Sequence, residues 1–392
     1  MIDFEFYSPT KYIFGKDKHL QIADVLSSYN FNKPLIIIGK GSVKKIGLLD
    51  AVISKLKENN IEYQIYEGIR ANPTIKDCAD CIKLAREFKP DILLAIGGGS
   101  VIDTAKNVAV GYYYDGDSFD FNLHKVKPTK ALPIGVILTI SAAGSESSSS
   151  CVISNDDTHI KNGFNSDLVR PLFAIENPEL TYSVSKEQTA YGIVDILMHT
   201  LERYFGKSDK YEPADNFSLA LIKSVIEVSK LAYDDPNNYD ARSVLMLMSS
   251  LSHNDLTNIG KIKAMPVHAL EHALSGLYPD VAHGAGLAVL FPKWARYYVK
   301  YDIEKFDKLA KEVFNLNDIN KEVNALNGIT ALEELFDNLN MPRTYEDLGI
   351  KNVDIKQLVK ILTHDGTRSI GHHTKPIDEE VATEIYSSCS RR

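Results

Sequence analysis

Between Lys33 and Val110 the chain alternates short apolar runs with helical segments, and small residues close the first and third of those runs. Pro34-Leu-Ile-Ile-Ile38, Glu62-Tyr-Gln-Ile-Tyr66 and Asp91-Ile-Leu-Leu-Ala-Ile96 read as strands. Ser42 to Asn59, Thr74 to Phe88 and Ser100 to Val110 read as the helices between and after them. Strands this apolar, each followed by a helix, require a parallel sheet with both faces covered. Pro133 to Thr139 and Arg170 to Ile175 extend the strand signal. After Tyr182 the pattern changes to helical periodicity, in 186–206, 211–233, 239–258, 303–314, 320–339, 355–362 and 380–387. The expected fold is an α/β N-terminal domain built on a parallel sheet, residues 1–184, followed by an all-α C-terminal domain, residues 185–392.

The glycine turns give the first half its chemistry. Gly97-Gly98-Gly99-Ser100-Val-Ile-Asp103-Thr-Ala-Lys106 follows an apolar strand and opens a helix. Small residues let backbone N–H groups and the helix N-terminus approach phosphate oxygens, which suits the pyrophosphate of a dinucleotide. The bland alternative is a tight strand-to-helix turn. Gly39-Lys40-Gly41-Ser42 follows the first parallel strand, where a dinucleotide-binding fold places its cofactor, but lacks the full Gly-x-Gly-x-x-Gly. Lys40, Ser42, Lys44 and Lys45 stand where an NAD-selective site commonly holds an acid, so the composition favours NADP(H). Exposed lysines at a helix start are the plain reading of the same residues. Thr139 to Ser150 again sets small hydroxyl residues behind a strand, as a cofactor groove or a polar loop.

The helical half carries the titratable clusters. His268-Ala-Leu-Glu271-His272 places two of the chain's 11 histidines at i, i+4 on one helix face. A break from Gly276 to Pro279 lets the chain return His283 toward them. Asp195 and His199 have the same spacing in an otherwise apolar helix, and a buried carboxylate and imidazole need a partner that a metal supplies. With glycine turns in one half and metal candidates in the other, a reaction site between them is expected.

Composition narrows the partners. Net charge is −8 without a block of like charges, so nucleic acid and anionic membranes have no electrostatic case, and small molecules remain. No apolar run is long enough to cross a bilayer. The segment beginning Met1-Ile-Asp-Phe-Glu-Phe-Tyr lacks a basic stretch leading into an apolar one. With four cysteines in 392 residues, this suggests a cytoplasmic protein. Cys78-x-x-Cys81 lies in a predicted helix without a second pair, which favours packing over redox or metal chemistry. His253 and the His372-His373 pair have no motif partner and are read as core or surface residues.

Taken together, Gly97-Gly-Gly-Ser-x-x-Asp-x-Ala-Lys106, Gly144-Ser-Glu146, Asp195-x-x-x-His199 and His268-x-x-x-His272…His283-Gly284 resemble the iron-containing (group III) alcohol dehydrogenases, and the His-x-x-Glu-His-x-Leu-Ser and Gly-Ser-Val-Lys-Lys segments resemble their butanol dehydrogenase branch. The resemblance runs from about Tyr12 to the last helix. It implies a dinucleotide-binding α/β domain, a helical metal-binding domain and one divalent ion, Fe²⁺ or Zn²⁺. By motif match Asp195, His199, His268 and His283 are its ligands, and His272 stands beside the substrate as a proton relay. Gly98, Gly99 and Ser100 would hold the pyrophosphate of NADP or NAD; Thr139, Ser148 and Lys161 would lie along the nicotinamide half. Asp103 and the Gly39, Lys40 and Ser42 turn complete the cofactor candidates. The chain departs from the family at Ala143, where a threonine is usual, and at Ser148, where some members carry asparagine. The spacing of 11 from His272 to His283 is one longer than usual.

The expected reaction is hydride transfer between NAD(P)H and the carbonyl of a short-chain aldehyde, assisted by a Lewis-acidic metal. A polyol dehydrogenase or a dehydroquinate synthase-like lyase of the same fold is the nearer alternative. A peptidase reading of His268-x-x-Glu271-His272, with Glu271 activating water, is the remote one. A homodimer is expected, through edge-strand pairing near Phe4-Glu-Phe-Tyr-Ser-Pro.

Overall fold

The computed structural model describes residues 2–207, 213–371 and 374–391; His372 and His373 lie outside them. Six parallel strands form one sheet: β1 (Lys11–Phe14), β2 (Pro34–Gly39), β3 (Gln64–Ile69), β4 (Ile92–Gly97), β5 (Ile134–Leu138) and, further on, β8 (Phe173–Glu176). A separate antiparallel hairpin pairs β6 (Ser150–Asn155) with β7 (Ile160–Asn165), and neither strand was legible in the sequence. Helices α1 (Ile22–Ser28), α2 (Ser42–Lys45), α3 (Leu48–Glu58), α4 (Ile75–Phe88), α5 (Gly99–Gly111) and α6 (Phe119–Asn122) accompany the sheet. Then come α7 (Lys186–Tyr204), α8 (Pro213–Asp234), α9 (Tyr239–His253), α10 (Pro266–Leu277), α11 (His283–Tyr298), α12 (Ile303–Phe314), α13 (Lys321–Asn338), α14 (Ile355–Thr363) and α15 (Glu379–Ser387).

The central strands are buried on both faces, as continuous apolar runs in a parallel sheet must be. Their side chains alternate between two cores. Leu35, Ile37, Leu93, Ala95 and Val136 join Cys78, Cys81 and Ala105 from α4 and α5 on one face. Ile36, Ile38, Leu94, Ile96 and Ile137 join Leu26, Val52 and Leu56 from α1 and α3 on the other. Cys78 and Cys81 therefore pack the core, and burial pushes both thiols up, which makes them inert. The helix expected over 42–59 is broken at Gly47, whose φ of 72° only glycine adopts cheaply, giving α2 and α3.

Sheet order is β1-β8-β5-β4-β2-β3. The chain leaves β2 toward β3 on one side and then places β4 on the other, so the strand order reverses between β2 and β4. Doubly wound folds bind nucleotides at the carboxyl ends of the strands flanking such a reversal. In register, Ile38 pairs with Ile96, which brings the Gly39 and Gly97 turns to adjacent strand ends.

Two compact units divide the chain: residues 7–185 with 235–254, and residues 1–6 with 186–234 and 255–392. Helix α9 thus returns to the α/β unit, where Ser249 Oγ accepts from Ala142 N at 3.1 Å and Ser250 Oγ reaches Glu146 at 2.6 Å. No helix among the described residues is long and apolar enough to cross a membrane.

Candidate metal centre and nucleotide turns

In the helical unit, α7 brings Asp195, His199 and Glu202 onto one face by their spacing of four and three. Asp195 Oδ1 is the centre of a cluster: His199 Nδ1 lies 3.2 Å away, His268 Nε2 3.5 Å and His283 Nε2 3.7 Å. Helices α7, α10 and the first residue of α11 each contribute. Asp195 Oδ1 and His268 Nε2 are both buried and make no hydrogen bond. Buried polar atoms left in that state are costly, and a cation between them removes the cost. Burial works against charging the His268 ring, yet Glu202 and Asp195 outweigh it and raise its pKa to about 9. A field that holds a proton so firmly also favours a divalent ion, and three imidazoles with one carboxylate are a donor set for Zn²⁺ or Fe²⁺. The residues fit the metal that the sequence implied.

Two glutamates beyond this cluster were not picked out as supports by sequence reasoning. Glu202, 1% exposed, accepts from His268 Nδ1 and also takes the backbone N–H groups of Val267 and His268. Glu271, 0% exposed, accepts from His283 Nδ1. Each acid thus orients a histidine of the next helix, α7 serving α10 and α10 serving α11. Such partners fix ring orientation and tautomer and raise the basicity of the other nitrogen. The sequence hint was available, since each acid lies three residues after a candidate ligand, but spacing alone does not tell which histidine it serves. Glu271 is committed to His283, which removes the peptidase role that would have it activate water.

The backbone is shaped to the same end. A Cβ on Gly284 would collide with the Tyr191 carbonyl oxygen, so only glycine lets the start of α11 lie flush on α7. On Gly286 it would press on Glu271 Cγ at 2.9 Å. The far end of α7 is capped by cations: Lys261 Nζ donates to the carbonyls of Arg203 at 2.9 Å and Tyr204 at 3.0 Å, and Lys305 Nζ to those of Tyr204 at 2.7 Å and Gly206 at 3.0 Å. Asp215 neutralises Lys261. His272 is half-buried, with its ring 6.3 Å from His268 and 5.7 Å from His283, so it borders the cluster around Asp195 without joining it. Glu271, His272 and His283 also offer atoms within 4.8 Å of one another.

In the α/β unit the turn after β4 is a matter of backbone room. Gly98 is the N-cap of α5, and a Cβ on it would collide with Ile140; one on Gly97 would meet Val101 at 2.7 Å, and one on Gly99 would meet Ala143 at 3.2 Å. Gly97 and Gly98 are therefore required by packing and Gly99 is tight against Ala143, and all three are suited to phosphate. Ser100 is half-buried in the first turn of α5. At the other turn Gly39 ends β2, Gly41 has φ 141°, and Lys40 and Ser42 are exposed. Thr139 follows β5 and bonds Gly97 O through its N–H at 3.1 Å. Lys161, on β7, donates to Asn72 Oδ1 at 3.1 Å.

Two cofactor candidates are engaged inside the protein. Asp103 accepts from Ser145 Oγ at 2.6 Å and from Val152 N at 3.0 Å, tying α5 to the hairpin. Ser148, 1% exposed, accepts from Lys106 Nζ at 3.0 Å. Lys106 is fully buried, its ammonium also held by the carbonyls of Ser148 and Ser150, and burial lowers its pKa to about 8. His253, read as a core or surface residue, bonds Ala143 O at 2.7 Å from α9.

Known proteins match along the whole length. The family model described as iron-containing alcohol dehydrogenase matches residues 9–178, and the Fe-containing alcohol dehydrogenase family C-terminal model matches residues 189–389. The chain is 38% identical to NADH-dependent butanol dehydrogenase A of Clostridium acetobutylicum over 98% of its length and 99% of that protein. It is 32% identical to the NADPH-dependent aldehyde reductase YqhD of Escherichia coli, covering 99% of this chain and 100% of that protein. The crystal structure of NADH-dependent butanol dehydrogenase A from Thermotoga maritima superposes with a TM-score of 0.96 at 32% identity, over 100% of this chain and 99% of that one. The chain belongs to the iron-containing alcohol dehydrogenase family, in its butanol dehydrogenase branch, and is an alcohol dehydrogenase and aldehyde reductase that uses a nicotinamide cofactor and a metal.

Proposed function

We propose that this enzyme interconverts short-chain aldehydes and alcohols of the butanal and butanol type, with NADP(H) as the preferred cofactor and one Fe²⁺ or Zn²⁺ held by Asp195, His199, His268 and His283. The observation that carries the reading is the convergence of three ring nitrogens on Asp195 Oδ1 within 3.2 to 3.7 Å. When bound, the ion supplies Lewis-acid polarisation of the carbonyl and the nicotinamide supplies the hydride.

The protein's own residues do the rest. Glu202 and Glu271 keep the His268 and His283 rings oriented, and the capped α7 keeps Asp195 and His199 in register. His272, on the helix face of His268 and outside the ligand cluster, passes the proton to the product alcohol through a hydroxyl or water. Gly98, Gly99 and Ser100 hold the pyrophosphate at the N-terminus of α5, and Lys40 and Ser42 take the 2′-phosphate. Thr139 and Lys161 line the nicotinamide side. Asp103 and Ser148 act there through the loop they anchor.

The compact units serve as a nucleotide-binding body and a metal-binding body. A homodimer through β1, an edge strand of the sheet, is favoured by the exposed Tyr7 and Phe14 of the same unit. Four buried, unbridged cysteines suit the reducing cytoplasm.

Oxidation of NADPH and of NADH by butanal tests this, on protein reconstituted with Zn²⁺ or Fe²⁺ beside a chelated control. Metal-dependent turnover favouring NADPH is the expected outcome. A preference for NADH would remove the 2′-phosphate assignment alone, and no consumption of either would remove the substrate reading.

A further inference from the structure

In dinucleotide folds an acid at the carboxyl end of the strand after the first glycine turn accepts the ribose 2′-OH and repels a 2′-phosphate. Here that strand is β3, which lies beside β2 in the sheet. Glu67 pairs in register with Ile38, one residue before Gly39, and after a bulge at Gly68 (φ 108°) Gly39 pairs with Ile69. So the acid that the first turn lacks in sequence is supplied from the neighbouring strand. It is not bare: Lys44, on α2 directly after the turn, makes an ion pair with Glu67. Both side chains are open to solvent, 50% exposed for Lys44 and 55% for Glu67, so a ligand reaches either one.

We infer that the Lys44–Glu67 pair sets the choice between NADH and NADPH. Glu67 offers an acceptor for a 2′-hydroxyl, and Lys44 offers a cation for a 2′-phosphate. Because each neutralises the other, the pair by itself favours neither cofactor, and the preference set at Lys40 and Ser42 moves when either charge is removed. The inference rests on the reading that the first turn carries the adenosine ribose.

The test is a fluorescence titration of NADH and NADPH onto the full-length protein and its Glu67→Gln and Lys44→Gln variants, which needs neither metal turnover nor aldehyde. Removing a unit charge beside a phosphate in a partly screened site changes affinity on the order of tenfold. Glu67→Gln is therefore expected to tighten NADPH relative to NADH by about tenfold, and Lys44→Gln to shift the ratio about tenfold the other way. A loss of folding common to both cofactors cancels in that ratio. An unchanged ratio in both variants, or a shift in the same direction, overturns the inference while leaving cofactor binding intact. If the unaltered protein binds neither nucleotide, the cofactor assignment at this turn falls and the inference falls with it.

Discussion

The candidate metal cluster and the glycine turns solve opposite problems. The cluster in the helical unit is made of side chains: four donors, two glutamates that orient them and a helix end tied by two lysines, nearly all buried. The turns in the α/β unit are made of backbone: Gly97, Gly98 and Gly99 contribute by having no side chain where Val101, Ile140 and Ala143 already stand. A site of side chains fails when chemistry is removed, because each buried charge then loses a partner. A site of backbone fails when volume is added. The difference says where each kind of mutation should hurt.

The largest effect is expected from His199→Ala. Metal content should fall to background, with turnover reduced by more than the ~10- to 100-fold typical of losing an orienting partner. Nucleotide binding measured by fluorescence should be unaffected; joint loss of metal and nucleotide would break the comparison. Next comes Glu202→Gln, which leaves volume alone and removes the charge that holds His268 Nδ1. Metal affinity should weaken by about 10 to 100-fold. Competition with a chromophoric chelator reads this directly, and wild-type affinity would show that Glu202 is only a packing residue.

A matched pair of glycines sharpens the point. Gly98→Ala and Gly284→Ala each add one methyl against fixed neighbours, Ile140 in one unit and the Tyr191 backbone in the other. Overpacking of this kind costs about 1 to 3 kcal/mol. The first substitution should weaken NAD(P)H binding and spare metal; the second should do the reverse, by moving His283. Equal damage to both ligands from either variant would mean that the two sites are not separable.

The smallest effect concerns pH. Glu146 and Glu176 are buried in the α/β unit, bridged by Ser250 Oγ at 2.6 and 2.9 Å, and burial raises both carboxyl pKa values, Glu146 further raising that of Glu176. The candidate metal cluster has histidines around its carboxylate, whereas this pair sets two carboxyls against each other, with burial pushing both pKa values up. Groups whose folded pKa is raised stabilise the protein fully below the ordinary carboxylate range, and that contribution is lost as pH rises through the raised values. Glu176→Gln should therefore flatten the decline in urea stability with rising pH. An unchanged slope would mean that the pair does not share a proton.

Much of this was legible in the chain. Apolar runs that alternate with helices dictate a covered parallel sheet, since no other arrangement buries such strands on both faces. Likewise Asp195-x-x-x-His199 and His268-x-x-x-His272 fix pairs on one helix face because the helical repeat does so locally. Which pairs meet was suggested beforehand only by the family resemblance and not by spacing: in the tertiary structure His268 faces Asp195 while His272 borders the cluster, and Glu202 and Glu271 serve histidines on other helices. Tertiary structure also decided that α9 belongs with the sheet and that Glu67 stands beside the first glycine turn already paired to Lys44. Those relations join residues remote in sequence, where helical period and turn chemistry carry no information and only packing of one element on another sets the distance.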